Sequence, residues 1–214
     1  MLNSLARAAV SKVTEPIGRG LLKTGLTPDA VTVIGTLGVI GGSLGLIATG
    51  RLFTGTVVVT LFVLFDLFDG AMARVRGHGT DFGVVLDASC DRIADAALFG
   101  AIAFYAFVVN PSTWLGAAAL IALGSGQVVS YIKARADSVN LTIRGAIAER
   151  AERNVLALVG TGLAGLGLPL ALDILLWVLA VASVATVVQR LVQVRQAAAR
   201  RDRTAAARDE GEQR

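Results

Sequence analysis

From Ala96 to Ile132 the chain carries no charged residue. One helix needs about twenty apolar residues to cross the hydrocarbon of a bilayer, so this run is too long for a single crossing. Asn110-Pro111-Ser112 interrupts it with turn-forming residues, which predicts two spans meeting there. The flanking sequence follows the same pattern. Ala30 to Gly50 are free of charge and Arg51 ends that span. Leu52 to Phe65 stay apolar, and their helix has to run on through Asp66 and Asp69 to be long enough. A polar hinge, Arg74 to Thr80, precedes a third helix starting near Asp81. Lys133 to Arg153 read as a basic polar loop. Asn154 to Gln189 contain a single charge, Asp173, and divide near Gly165-Leu166-Gly167-Leu168-Pro169 into two further spans. The expected fold is all-α, a polytopic membrane protein with six transmembrane helices. A composition 54% hydrophobic with 17% charged residues, and a mean hydropathy of +0.67, excludes an ordinary soluble domain.

Ahead of the first span, residues 2 to 25 repeat Leu2, Leu5, Ala9, Val13, Ile17 and Leu21 at helical spacing, punctuated by Arg7, Lys12, Arg19 and Lys23. An amphipathic helix with such cations lies in the headgroup plane, and Pro16 is expected to bend it. Thr27 is a helix cap with Pro28 at the first helical position. This organises the chain as an interfacial segment (1–26), a membrane domain (27–196) and a charged tail (197–214), helical at first and then frayed. Eighteen of the twenty Lys and Arg residues fall on one side of the six-span layout. The positive-inside rule makes that side cytoplasmic, with both termini. No cleavable signal peptide is expected, because charges and prolines precede any long apolar run. Gly35, Gly38, Gly41, Gly42 and Gly45 mark a face of the first span open to close helix approach. The lone cysteine, Cys90, excludes an internal disulfide and is expected to pack as a small residue.

Six of the sixteen acidic residues lie between Asp66 and Asp95. Asp66 and Asp69, three apart, share one helix face, as do Asp87 and Asp91, four apart. Gly83 lies one turn earlier on that second face. An ionised Asp in a spanning helix costs about 2.5–3.5 kcal/mol on the insertion scale, so each needs a partner. Three roles are compatible with the cluster. It can be an ion-paired structural network with Arg74, Arg76 and Arg92. It can be a cation or proton pathway, although no second acidic cluster continues it across the membrane. It can also hold divalent cations, since oxygen ligands suit Mg2+ or Mn2+, for phosphoryl chemistry.

The spacing D66-x2-D69-G70-x2-A73-R74-x8-G83-x3-D87-x3-D91 resembles, without a departure, the signature of the CDP-alcohol phosphotransferases. The resemblance implies a dimeric membrane enzyme that uses two Mg2+ or Mn2+ ions to displace CMP from a CDP-linked donor with an acceptor hydroxyl. On that pattern Asp66, Asp69, Asp87 and Asp91 ligate the metals, and Asp91 is also the general base. Gly70 and Ala73 leave room for the nucleotide, and Arg74 pairs with the diphosphate. By the same resemblance Asp29, Ala30, Val31, Thr32 and Thr80 contact the CDP part of CDP-diacylglycerol. His78 is read as a hinge residue. The segments Ser130 to Ala136 and Glu149 to Arg153 are similar to those of bacterial phosphatidylinositol phosphate synthases, which use inositol 1-phosphate. That similarity implies an acceptor-phosphate site at Lys133, Arg153 and Arg195. Phosphatidylglycerol phosphate synthases, which use glycerol 3-phosphate, are similar here too. A non-catalytic lipid or nucleotide binder on the same scaffold is a further alternative. The expected partners are the two substrates, the lipid bilayer and a second copy of the chain; no nucleic-acid partner is expected.

Overall fold

The computed structural model describes residues 25–65, 68, 70–72, 75, 80–143 and 145–212, together with Pro16, Gly20 and Leu22. The interfacial segment (apart from these three residues, Gly25 and Leu26), Asp66, Asp69, Ala73, Arg74, the hinge around His78, and Arg144 lie outside it. Among the described residues there is no strand, and six α-helices follow one another.

Helix α1 (Pro28–Gly42) begins as its sequence dictates: the Thr27 hydroxyl accepts from the Ala30 amide at 3.2 Å, and Pro28 occupies the first turn. It winds into a π-helical turn over Ser43–Ile47. Gly50, at φ +86°, then reverses the chain through a backbone conformation that side chains disfavour. Helix α2 (Leu52–Val63) follows. Helix α3 (Asp81–Phe104) is capped by Thr80, whose hydroxyl accepts from the Gly83 amide at 2.9 Å. It also ends in a π-helical stretch, Tyr105–Val109, at the Asn110-Pro111-Ser112 turn. Helix α4 (Thr113–Ser138) starts where the Ser112 hydroxyl accepts from Leu115.

Two boundaries differ from expectation. Lys133 and Arg135 lie on α4, because nothing between Ser130 and Ser138 breaks a helix; the connecting loop therefore shrinks to 139–149. Helix α5 (Arg150–Gly165) then carries Arg150 and Arg153 in its first turns. After Gly167, at φ +94°, helix α6 (Pro169–Glu212) runs 44 residues and stays helical to the last described residue. Its Ala-, Arg- and Gln-rich end is made of strong helix formers.

The principal packings close into a cycle: α1 on α2, α2 on α5, α5 on α6, α6 on α4, α4 on α3 and α3 on α1. All six helices feed one core, with Val39, Val59, Phe99, Leu115, Leu158 and Leu176 among its members. Ser43, Thr161, Ser183 and Thr186 are fully buried, whereas Leu37, Leu61, Leu170 and Val181 point outward. Four helical stretches are long and apolar enough to cross a membrane: Pro28–Ile47, Asp81–Val109, Thr113–Ser138 and Pro169–Arg203. Together with the apolar exterior, they make this a membrane protein. The glycine face of α1 is partly used. Gly38 meets the Phe62 ring and Gly42 sits against Val58 and Val59, while Gly41 and Gly45 face open space. Cys90 is buried on α3, packed as expected.

Candidate active site

One end of the bundle gathers the start of α1, the start of α3, the end of α4, the start of α5 and Arg190 of α6. At the α1–α3 contact, a Cβ on Gly83 would lie 3.2 Å from Asp29 Oδ1 and 3.1 Å from Thr80 Oγ1. Glycine there brings together Asp29 and Thr80, two residues that the resemblance assigns to one nucleotide site. Val31 and Thr32, next along α1, are buried, and Gly70 is half-buried.

Asp87, Asp91 and Asp95 succeed one another along one face of α3, and burial deepens at each turn. Asp87 is exposed, Asp91 is 21% exposed and Asp95 is 3% exposed. Arg150 Nη1 donates to Asp91 Oδ1 at 2.6 Å, and Arg150 Nε to Asp95 Oδ1 at 3.3 Å. Arg153 Nη2 donates to Asp95 Oδ2 at 3.2 Å and Asn154 Nδ2 to Asp95 Oδ1 at 3.4 Å. Arg92 Nη2 lies 3.5 Å from Asp95 and 3.8 Å from Asp91. Of the cations expected in an ion-paired network, Arg92 is described and takes part, Arg74 and Arg76 lie outside the described residues, and Arg150 and Arg153 join it from α5.

Beside Asp91 opens a cavity of about 830 Å³, lined by α3, α4, α5 and α6. Arg92, Lys133, Arg150, Arg153 and Arg190 line it, against the carboxylates Asp91, Asp137 and Glu149. The excess of cations fits an anionic guest. Arg190 is 5% exposed, and among the described residues its buried Nε and Nη1 have no hydrogen-bond partner. Arg195, five residues further along α6, is exposed and is not among the lining residues. The cavity therefore brings Lys133 and Arg153 together, and the α6 cation beside them is Arg190. Arg190 directly follows the last apolar run, Asn154 to Gln189, and that place is the signal the sequence offers for it. Asp95 was also missed, although Arg150, Arg153 and Asn154 share a helix face that could have been matched to it.

The residues that the sequence assigns to divalent ions are all carboxylates, a donor set that suits hard cations. Asp87 and Asp91 lie one turn apart at the mouth of the bundle, where a second pair could meet them. Among the described residues no three acidic, thiol or imidazole groups form a metal cluster, and Asp66 and Asp69 lie outside that set.

A CDP-alcohol phosphatidyltransferase family model matches residues 25–189. A phosphatidylinositol phosphate synthase of Mycobacterium marinum is 51% identical over 193 residues, covering 89% of this chain and 82% of that protein. The crystal structure of Mycobacterium tuberculosis phosphatidylinositol phosphate synthase with CDP-DAG bound is similar at a TM-score of 0.80 and 50% identity, covering 86% of this chain and 94% of that one. The same enzyme in complex with manganese and citrate superposes at a TM-score of 0.81 and 50% identity, covering 85% of this chain and 88% of that one.

Proposed function

The chain belongs to the CDP-alcohol phosphatidyltransferase family, and we propose that it transfers the phosphatidyl group of CDP-diacylglycerol to inositol 1-phosphate, releasing CMP. The cation-lined cavity beside Asp91 carries this reading of the acceptor. A phosphate on the acceptor needs cations in fork or point geometry. Lys133 of α4, Arg153 of α5 and Arg190 of α6 offer three, from three helices. The half-identity to phosphatidylinositol phosphate synthases over nearly the whole chain supports it further.

In this mechanism the acceptor's free hydroxyl oxygen attacks the phosphorus that bears the diacylglycerol. The bridging P–O bond breaks, and CMP leaves with its electron pair. Asp91 takes the hydroxyl proton. Two Mg2+ or Mn2+ ions held by Asp66, Asp69, Asp87 and Asp91 would neutralise the diphosphate as that bond breaks. Arg74 pairs with a diphosphate oxygen, and Asp29 to Thr32, Gly70 and Thr80 receive the CDP moiety.

All six helices cross the bilayer in this proposal, with the site on the cytoplasmic side and residues 1–26 in the interface. Helix α2 has 12 residues, about 18 Å at helical rise, and α5 has 16, about 24 Å. Phe68, Gly70–Met72 and Val75 are helical beyond α2, which supports its continuation past residue 65. The test is an acceptor panel. CDP-diacylglycerol is offered with inositol 1-phosphate, inositol, glycerol 3-phosphate or serine, each with Mg2+ or Mn2+, and CMP release is followed. Inositol 1-phosphate should be used best. Preference for glycerol 3-phosphate, or equal use of free inositol, would overturn the acceptor assignment.

A further inference from the structure

We propose that Asp95, outside the metal-ligand and base set, is a positioning residue for the acceptor, holding Arg153 and Arg150 in place, and that Gly126 makes the room Arg153 requires. The inference rests on the acceptor reading above.

A guanidinium as buried as that of Arg153, 1% exposed, is costly without a charge partner. Asp95 supplies one from the α3 side, through Oδ2 at 3.2 Å. The Ala148 carbonyl adds a contact to Nη1 at 3.5 Å. Ala148 is itself fixed to α6, its amide donating to Thr186 Oγ1 at 3.1 Å. From α4, Gly126 closes the remaining side: a Cβ there would stand 2.9 Å from Arg153 Nε and 3.1 Å from Cζ. An alanine methyl would therefore press directly on the guanidinium. Nε, facing Gly126, has no hydrogen-bond partner among the described residues. Arg153 is thus anchored at one edge and lines the cavity it shares with Lys133 and Arg190.

The anchor also reaches the base. Asp95 Oδ1 accepts from Arg150 Nε, and Arg150 Nη1 reaches Asp91 at 2.6 Å. One buried carboxylate therefore sets two cations, one beside the acceptor's phosphate and one on the residue assigned to its hydroxyl proton. Asp95 touches neither substrate and acts through them.

The experiment compares Asp95→Asn and Gly126→Ala with the unmodified enzyme in detergent, with melting temperature and monodispersity as folding controls. KM for inositol 1-phosphate should rise about tenfold or more in each, with KM for CDP-diacylglycerol within about twofold. The double variant should fall well short of the product of the two effects, because both act on Arg153. If Asp95→Asn does not fold, Gly126→Ala, which keeps the ion pairs' residues, decides alone. Unchanged acceptor KM in the folded variants, or equal losses for both substrates, would overturn the inference while leaving the acceptor reading standing. No turnover of inositol 1-phosphate by the unmodified enzyme would overturn both.

Discussion

At the scale of single residues, charge and burial separate roles that spacing alone leaves together. Asp87 and Asp91 stand toward the exposed start of α3 and Asp95 in its buried middle, though all three repeat every four positions. Asp87→Asn removes a charged ligand from a site that must balance a diphosphate, so CMP release should fall to background while the protein still inserts and melts normally. Background-subtracted turnover near the unmodified rate would remove the metal role. Asp91→Asn should cost kcat about 10²–10⁴-fold, the usual contribution of a general base, with donor KM nearly constant. A change confined to donor KM would leave Asp91 a ligand only. The α6 cations give a sharper contrast. Arg190→Gln should raise acceptor KM roughly tenfold, since a charged hydrogen bond contributes about 1.5–3 kcal/mol; Arg195→Gln, exposed outside the cavity, should leave it near normal. Equal effects would show that the cavity does not define the phosphate site. The Asp spacing was readable in the sequence because its signal is local. The choice of Arg190 was not, because it depends on which face of a long helix turns toward α4 and α5.

At the scale of elements, caps and turns were legible and helix ends set by packing were not. Thr27-Pro28, Thr80-Asp81 and Ser112-Thr113 each start a helix through a side-chain cap, a signal within four residues. The extension of α4 to Ser138 and of α6 to Glu212 had no such mark. Glycine spacing was a weaker guide: Gly38 and Gly42 face α2, whereas Gly41 faces open space. Gly165, read only as part of a turn, makes the closest backbone approach, since a Cβ there would collide with the Phe53 amide and stand 2.8 Å from its Cα. Backbone yields less readily than a side chain, so Gly165→Ala should force α2 and α5 apart at a cost of about 1–3 kcal/mol. Its melting temperature in detergent should drop clearly below that of Gly41→Ala. Equal melting temperatures would mean that the α2–α5 contact relaxes freely.

At the scale of the whole molecule, the asymmetry of charge was the most legible property, because it needs only a count along the chain. It predicts sidedness that labelling can check. In a Cys90→Ala background, Thr49→Cys, in the turn after α1, should react with an impermeant maleimide on intact cells. Ser138→Cys, at the end of α4, should react only after permeabilisation. The reverse pattern would invert the topology. The cyclic packing order was not legible, since no residue type announces which helix lies beside which. That order has a consequence for biosynthesis. Helices α4 and α5 follow each other in sequence, yet each finds its principal partner in α6. The cycle stays open until the last helix leaves the ribosome and wedges between them. Arg190 travels on that helix, so the acceptor cavity has no complete wall in any nascent chain. Truncated products of interrupted translation would then carry the aspartates but no closed acceptor cavity.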